Sequence, residues 1–331
     1  MRAVEAESDG PPDVLRIGER ARPEPAPDEV LVRVAYAGLN RADLLERAGR
    51  YGPPAAPGEA RPIPGLEFGG TVVAAGARAR RLQPGDRVCG IVAAGAHADY
   101  LAVHALACAK VPAGLSLRDA AAIPEAYLTA HDALFARGDF GFGKSVLVHA
   151  VGSGVGLAAV ALATGAGGIV FGTSRTPAKL ERAQSLGMRL GFAADDDFDG
   201  AVRGATGGRG ADLVLDFIGG AELDRNLGAL AVGGRIVQIG TLAGSRASID
   251  LTALMVKRAT IVGTVLRSRG LEEKIVLARL LEERLLPAFA AGRLAVEIDR
   301  VFAVEEIVAA HRHMEANANF GKIVIRIDPA A

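Results

Sequence analysis

The chain has 331 residues and a mass of 34.1 kDa, which is enough for two ordinary domains. Its 38 basic residues balance 38 acidic ones, so no global field draws it to nucleic acid or to an anionic membrane. Two cysteines, Cys89 and Cys108, are too few for a disulfide framework. No apolar run reaches the ~20 residues of a membrane span, and the start lacks a signal-peptide core. We therefore expect a cytoplasmic protein with reduced thiols.

The first ~120 residues have the pattern of a β-rich domain. Short apolar runs, such as EVLVRVAYAG at 29–38 and GDRVCGIV at 85–92, alternate with clusters of turn residues. Proline and glycine crowd residues 51–65 (YGPPAAPGEARPIPG), which predicts a long loop, because strand signals resume directly after it. We expect this loop to set the size of the substrate that the protein accepts.

From Ser116 the apolar period becomes helical, and strand-like runs then alternate with helix-like runs up to ATIVGTV at 259–265. This alternation predicts βαβ units and a parallel sheet with helices on both faces. The segments after Val265 do not continue the series, so we assign them to the first domain. The predicted fold is α/β, with a discontinuous β-rich domain (1–124 and 266–331) and an inserted Rossmann dinucleotide-binding domain (125–265).

The segment VLVHAVGSGVG at 146–156 predicts a strand, a glycine-rich turn and the start of a helix. It follows the pattern A-x-x-S-x-x-G rather than G-x-G-x-x-G. In this context the glycines let a dinucleotide pyrophosphate approach the backbone and the helix N-terminus. The alternative is an ordinary tight turn, and His149 is expected to be a core residue. The predicted pyrophosphate contacts are Gly152, Ser153, Gly154 and Val155.

The end of the next predicted strand, FGTSRTPAK at 171–179, indicates which nucleotide binds. NAD enzymes place an acidic residue there for the ribose 2′-hydroxyl. Here Thr173 and Ser174 are neutral donors, whereas Arg175 and Lys179 are cations that would pair with a 2′-phosphate. This favours NADP, although a solvated helix start would have the same composition.

Seven segments resemble the zeta-crystallin-like NADPH:quinone oxidoreductases of the medium-chain dehydrogenase/reductase superfamily. The resemblance extends from Met1 to Ile327 and implies a GroES-like catalytic domain, a Rossmann domain and NADPH as the hydride donor. The segments are AGLNRADLLERAGRY, PGLEFGG, GDRVCGIV, IPEAYLTA, HAVGSGVG, VLRSRG and MEANANFGKIVI.

The zinc alcohol dehydrogenases share this architecture, so a metal has to be considered. Where those relatives carry a cysteine ligand this chain has Asn40, and where they carry a histidine ligand it has Leu66. Zinc needs thiolate, imidazole or carboxylate ligands, so we predict no metal. His311 and His313 are two residues apart on a predicted helix, on different faces, and we expect them at the surface.

Without a metal, another group must stabilise the negative charge that a hydride leaves on the substrate oxygen. The resemblance implies Asn40 and Tyr51 as these groups and Thr129 as a contact on the nicotinamide side. Each has a structural alternative: Asn40 could cap the following helix, and Tyr51 could pack its loop. Proximity of the reactants alone could also drive the reaction.

The resemblance implies further cofactor contacts at Gly240 and Thr241, at Val265 and Leu266, and at Asn319. In one segment the chain differs from the pattern of the family. Relatives carry an Asn-Tyr pair whose tyrosine helps to hold the 2′-phosphate, where this chain has Ala193 and Ala194 followed by three aspartates. This change should weaken the preference for NADPH over NADH.

The leading hypothesis is a zinc-independent, NADPH-dependent quinone reductase. An enoyl reductase acting on α,β-unsaturated ketones or thioesters is the alternative enzyme, and a non-catalytic NADPH-binding protein is the alternative of another class. We also expect a homodimer, with the predicted strand ATIVGTV as an edge that pairs across a two-fold axis.

Overall fold

The protein is described from a computed structural model that covers residues 1–51, 61–220 and 222–331. Two compact units are present: unit 1 comprises Met1–Leu128 and Arg267–Ala331, and unit 2 comprises Thr129–Leu266. Most of the predicted proline-rich loop, residues 52–60, lies outside the described residues, so its role in substrate size stays a prediction. In the part of the chain that is described, no helix is both long and apolar enough to span a membrane.

The strands are β1 (Arg2–Ala6), β2 (Leu15–Glu19), β3 (Glu29–Leu39), β4 (Glu67–Ala75), β5 (Arg87–Ile91), β6 (Tyr100–His104), β7 (Ala109–Lys110), β8 (Ser145–Val148), β9 (Ile169–Ser174), β10 (Leu190–Ala193), β11 (Ala211–Asp216), β12 (Leu230–Gln238), β13 (Thr260–Gly263), β14 (Ile298–Ala303) and β15 (Lys322–Arg326). The α-helices are α1 (Arg41–Arg47), α2 (Leu117–Ala122), α3 (Pro124–His131), α4 (Gly154–Gly165), α5 (Pro177–Ser185), α6 (Phe198–Ala205), α7 (Glu222–Ala229), α8 (Leu251–Lys257), α9 (Leu271–Leu280), α10 (Leu286–Ala290) and α11 (Ile307–Glu315). Two π-helical segments, Asp132–Arg137 and Leu281–Leu285, continue α3 and join α9 to α10.

Unit 1 is built on a mixed sheet of order β14-β15-β3-β4-β5-β7, with β6 also paired to β3. β14 and β15 are parallel and the other pairs are antiparallel. Because β15 pairs with β3, the two C-terminal strands β14 and β15 complete a sheet whose other strands come from the first part of the chain. Its core includes Val32, Val34, Leu39, Phe68, Ile323 and Ile325.

Unit 2 contains a six-stranded, fully parallel sheet of order β10-β9-β8-β11-β12-β13. β8 is buried at all four positions, as expected for a strand covered on both faces. The predicted α/β fold with a parallel sheet is confirmed. The chain order runs outward from β8 in one direction and from β11 in the other, so the switch point of a doubly wound sheet lies between these strands.

The expectation that His311 lies at the surface is wrong. Its side chain is fully buried, with Nδ1 3.1 Å from Arg47 Nη1, and burial lowers its pKa to about 2. The cause is that α11 packs this face against α1 in unit 1. His313, which is partly buried, lies 2.7 Å from Asp299.

Lys257 at the end of α8 binds the segment that leads from α7 into β12. Its ammonium donates to the carbonyl oxygens of Leu227, of Gly228 at 2.9 Å and of Leu230 at 2.6 Å.

Lys257→Met should lower the free energy of unfolding by about 1–2 kcal/mol, since it leaves these carbonyls without a charged donor. Urea unfolding of both proteins measures this. Lys110→Met, at an exposed ion pair with Asp86, should change it by less than about 0.5 kcal/mol. An equal loss in both variants would contradict the prediction.

Candidate functional site

The glycine-rich turn of unit 2 places the N-terminus of α4 directly after β8. Ala150 has a left-handed backbone (φ 44°), and Ser153 caps the helix, its Oγ accepting the Gly156 N–H at 3.0 Å. A Cβ at Gly156 would lie 2.6 Å from the Val151 carbonyl oxygen, so only glycine permits this close approach. The predicted contacts Ser153, Gly154 and Val155 therefore stand at the N-terminus of a 12-residue helix, where free N–H groups favour an anion.

The predicted cations lie at the same edge of the sheet. A Cβ at Gly152 would lie 2.9 Å from Cδ of Lys179, so the lysine stem packs directly on the turn. Arg175 is exposed at the end of β9. The two predicted hydroxyl donors that precede Arg175 have partners within the protein: Ser174 accepts the Thr176 N–H at 3.1 Å, and the Thr173 hydroxyl is buried 2.8 Å from a histidine. The positive charge at this edge is therefore supplied by Arg175 and Lys179.

The partner of Thr173 is His149, which begins a buried polar chain that the sequence did not reveal. His149 Nε2 lies 2.6 Å from Asn226 Oδ1, and Asn226 Nδ2 donates to Asp216 at 2.9 Å. Because the Asn226 N–H faces the carboxylate, its oxygen faces His149, so Nε2 carries the proton and Nδ1 accepts from Thr173. Burial lowers the pKa of His149, in keeping with a neutral ring. The prediction that His149 is a core residue is confirmed.

Asp216 extends this chain into the loop after β11. Its Oδ1 accepts the N–H groups of Ile218 at 2.6 Å and Gly219 at 2.9 Å. The Leu242 N–H donates to the Phe217 carbonyl at 3.1 Å, which joins this loop to the turn after β12. The ends of β8, β9, β11 and β12 are thus linked at the edge where parallel strands bind ligands.

The remaining predicted cofactor contacts of unit 2 follow β12 and β13. Gly240 accepts from the Gln238 side chain at 2.6 Å, and Thr241 beside it is exposed. Leu266 is buried, whereas the Val265 side chain is 43% exposed and so is accessible to a ligand.

Thr129 is the residue predicted to contact the nicotinamide side of the cofactor. Its Oγ1 is buried and has no hydrogen-bond partner among the described residues. In the same unit, Thr264, which precedes the predicted contact Val265, donates a 2.5 Å hydrogen bond to Asp132, three residues after Thr129. A buried hydroxyl without a partner costs free energy unless a ligand or water satisfies it, which suits the predicted contact with nicotinamide.

The segment that departs from the family pattern is held by Arg225. Its Nη1 donates to the Ala194 carbonyl at 3.2 Å, and its guanidinium carbon lies 4.0 Å from the Phe198 ring centroid. Glu222 pairs with the same guanidinium at 3.0 Å. Of the three aspartates, Asp197 caps α6 by accepting the Gly200 N–H at 3.1 Å.

Asn40 of unit 1 belongs to a buried ionic cluster. Lys322 Nζ lies 2.5 Å from Glu67 Oε1 and 2.6 Å from Asn40 Oδ1, and Asn40 Nδ2 donates to Glu67 Oε1 at 2.9 Å. The cap of α1 is formed by a different contact, in which the Asn40 backbone N–H donates to Asp43 at 2.7 Å. The Asn40 amide is thus bound between a cation and an anion.

Two further carboxyl groups adjoin this cluster. The Glu125 backbone N–H donates to Glu67 Oε2 at 2.8 Å, at the first turn of α3. Burial, together with the negative charge of Glu67, raises the pKa of the Glu125 carboxyl to about 7. Burial likewise raises the pKa of Asp43 to about 7. Both groups can therefore exchange protons near neutral pH.

Tyr51 packs against a cation of the same unit. The Arg267 guanidinium carbon lies 5.1 Å from its ring centroid, and Arg267 is fixed by Glu46 at 2.6 Å and by the Ala93 carbonyl at 2.8 Å. Burial, reinforced by the nearby Glu125 charge, raises the pKa of the Tyr51 hydroxyl, which therefore stays protonated at neutral pH. Asn319 is buried in this unit, with Nδ2 donating to the Gly321 carbonyl at 2.8 Å.

Sequence reasoning missed four polar residues of this region: Glu67, Glu125, Arg267 and Lys322. A signal was present for two of them. Glu67 is a lone acid inside PGLEFGG, and Lys322 is a lone base before the apolar run IVI. A charge within a predicted core strand needs a partner of opposite charge. In the described portion of the chain, no group of three or more His, Cys, Asp or Glu could hold a metal.

Comparison with known proteins gives two family matches. Residues 26–113 match the alcohol dehydrogenase GroES-like domain, and residues 154–282 match the family described as zinc-binding dehydrogenase. The predicted pairing of a GroES-like domain with a Rossmann domain is confirmed.

Individual relatives cover nearly the whole chain. A probable quinone oxidoreductase of Schizosaccharomyces pombe is 30% identical over 97% of this chain and 96% of its own length. The crystal structure of Escherichia coli quinone oxidoreductase complexed with NADPH superimposes with a TM-score of 0.89 at 26% identity, covering 98% of this chain and 100% of that one. A phenolphthiocerol/phthiocerol polyketide synthase protein of Mycobacterium tuberculosis is 33% identical over 95% of this chain, which spans only 14% of that protein.

Glu125 should make the stability of the protein depend on pH. The unfolded chain ionises this carboxyl near its ordinary pKa of 4.5, whereas the folded chain holds the proton up to about pH 7. Its contribution is therefore lost as the pH rises through this window. Glu125→Gln does not ionise, so its stability relative to the wild type should rise by roughly 1–3 kcal/mol between pH 5 and pH 8.

Chemical unfolding of both proteins across this range tests the prediction. The charges that face Glu125 are Glu67, Asp43, Lys322, Arg267 and Lys274, and Tyr51 is neutral there. Glu272→Gln, at an exposed position of α9, is the control and should give a difference that does not change with pH. The same flat difference for Glu125→Gln would contradict the prediction.

Proposed function

Since the chain belongs to the zeta-crystallin-like branch of the medium-chain dehydrogenase/reductase superfamily, we propose that it is a zinc-independent, NADPH-dependent quinone reductase. The observation that carries the proposal is the edge of the parallel sheet in unit 2. There the N-terminus of α4, the packed Lys179 and the exposed Arg175 come together. The relative from Escherichia coli was crystallised with NADPH, which supports the same cofactor here.

The residues of unit 2 fit this cofactor. At Gly156 a side chain would collide with the Val151 carbonyl, and at Gly152 it would meet the Lys179 side chain, so backbone N–H groups of this turn would bind the pyrophosphate. Arg175 and Lys179 would bind the 2′-phosphate, and the Thr129 hydroxyl would gain the partner it lacks. Val265 would pack on the nicotinamide, and the turn at Gly240 and Thr241 would line the same edge. When bound, NADPH supplies the hydride.

Unit 1 would supply the groups that act on the acceptor. A quinone that receives a hydride becomes a hydroquinone anion, which needs hydrogen-bond donors and then a proton. Asn40 would donate an amide N–H to this oxygen, and the protonated Tyr51 hydroxyl would be a second donor. The two buried free cysteines suit a reducing compartment, and we place the activity in the cytoplasm.

An enoyl reductase is the second candidate, and the likeness to the polyketide synthase favours it. Hydride addition to an α,β-unsaturated carbonyl leaves an enolate, and the same two donors would stabilise its oxygen. The two candidates therefore differ in the acceptor and agree on the cofactor and the residues.

Steady-state oxidation of NADPH and NADH, in parallel, against ortho-quinones, para-quinones and simple enones distinguishes the candidates. We expect turnover of quinones with NADPH. Turnover of enones alone would make the enoyl reductase the function. Tight binding of NADPH without turnover of any acceptor would indicate a non-catalytic NADPH-binding protein.

Arg175 should discriminate between the two cofactors. Because its guanidinium would pair with the 2′-phosphate, Arg175→Ala should raise KM for NADPH about tenfold and leave KM for NADH nearly unchanged. Arg189→Ala, at another exposed arginine of the same unit, is the matched control and should change neither value. An equal rise of KM for both cofactors in Arg175→Ala would show that Arg175 does not bind the 2′-phosphate.

The expected homodimer would use β13 and α8. β13 is the last strand of its sheet, and α8 has no buried residue within the described chain. Met255 and Val256 on this helix are 72% and 69% exposed, and Ile261 on the strand is also exposed. An unpaired edge strand beside an apolar helix is suited to pairing with a second copy of the chain.

Val256→Asp should therefore shift the protein from dimer to monomer, since it places a charge in the apolar contact. Sedimentation velocity at micromolar concentration measures the mass. Val276→Asp on α9 is the control, because Val276 is 65% exposed in unit 1 and should leave the mass unchanged. A monomeric wild-type protein would contradict the proposal.

A further inference from the structure

The orientation of the Asn40 amide is determined by the charges on either side of it. Lys322 Nζ donates to Oδ1 at 2.6 Å, and Nδ2 donates to Glu67 Oε1 at 2.9 Å. A flipped amide would place its N–H groups against the ammonium and its oxygen against the carboxylate. Both contacts would then be repulsive, so the charges fix which way the amide faces.

One N–H of Asn40 remains available to a ligand. Nδ2 carries two hydrogens, of which one binds Glu67. The other faces the Gly38 carbonyl at 3.4 Å, which is long for an N–H···O hydrogen bond. A shorter bond to an anionic oxygen can therefore replace it at small cost.

The ion pair is built into unit 1 rather than placed on its surface. The side chains of Lys322 and Glu67 are 5% and 0% exposed, and Lys322 Nζ also donates to the Leu39 carbonyl at 3.2 Å. A Cβ at Gly38 would lie 2.1 Å from Glu67 Oε1, so glycine is needed there. Apolar residues in place of a buried ion pair are often as stable, and stability alone therefore does not account for this one.

We propose that Lys322 is a positioning residue, held by Glu67, which orients and polarises the Asn40 amide toward the developing oxyanion of the acceptor. A cation at the amide oxygen withdraws electrons from the amide, and hydrogen bonds in a chain strengthen one another. The second N–H of Asn40, which makes the long contact to Gly38, thereby becomes a stronger donor. The oxyanion in this statement rests on the proposed function, whereas the orientation of the amide does not.

The orientation is tested without turnover by NMR of protein labelled with 15N in asparagine. The chain has four asparagines, so Asn40→Ala identifies the Asn40 side-chain resonances. We expect two well-separated Nδ2 proton shifts in the wild type, one displaced by the bond to the carboxylate. Lys322→Met should move them together, while Lys110→Met leaves them in place. Resonances that do not move in Lys322→Met would overturn the proposal.

The polarising effect is tested by a double-mutant cycle on kcat. Loss of a donor to an oxyanion should make Asn40→Ala about 100-fold slower, and Lys322→Met about tenfold slower. If Lys322 acts through Asn40, then Asn40→Ala in the Lys322→Met background should cost only about tenfold more, instead of the about 100-fold that it costs in the wild type. Full additivity of the two effects would indicate a merely structural role and would overturn the proposal.

Loss of Lys322 alone leaves a buried carboxylate unpaired, which destabilises folds strongly. Lys322→Met with Glu67→Gln removes both charges and is the second background for both tests. The affinity for NADPH, which unit 2 would bind, should be unchanged in all variants. If the wild type reduces no acceptor, the proposed function fails while the NMR result still decides the orientation of Asn40.

Discussion

The polar region of unit 1 depends on the ion pair between Lys322 and Glu67. The two side chains are brought together by β15 and β4, from opposite ends of the chain, and both are buried. Around this pair the start of α3 is fixed through the Glu125 N–H, and the start of α1 through the Asn40 amide. A buried charge must be neutralised where it stands, so the pair sets the positions of the groups bound to it.

In unit 2, the glycine-rich turn is positioned by the close approach of α4 to the end of β8. The lack of a side chain at Gly156 permits that approach, and the chain from Thr173 through His149 and Asn226 joins the ends of the neighbouring strands. The chain ends at the Asp216 carboxylate, whose other oxygen accepts two backbone N–H groups of the loop after β11, so the loop is fixed together with the strand ends. In unit 1 the buried cation Lys322 contacts the oxygen of the Asn40 amide, whose nitrogen is the proposed donor to the acceptor.

Local signals were sufficient for the fold and for the strand, turn and helix at 146–156, because apolar periodicity and the spacing of glycines depend on neighbours in the sequence. The capping of α4 by Ser153 was not predicted, whereas the parallel sheet followed from such patterns. The ionic cluster did not, since Glu67 and Lys322 are 255 residues apart and only the pairing of distant strands brings them together. The burial of His311 was missed for the same reason. The helical period of the sequence shows which residues share a face of α11, but it does not show that Arg47, far away in the sequence, packs against the face that carries His311.

In the proposed reaction a polarised amide, rather than a metal, faces the oxygen of the acceptor. The most direct test is to measure turnover of a quinone with NADPH and the zinc content of one and the same preparation, before and after treatment with a chelator. We expect turnover to be the same in both samples and not to rise when zinc is added. Turnover that falls with the chelator and returns in proportion to added zinc would contradict it.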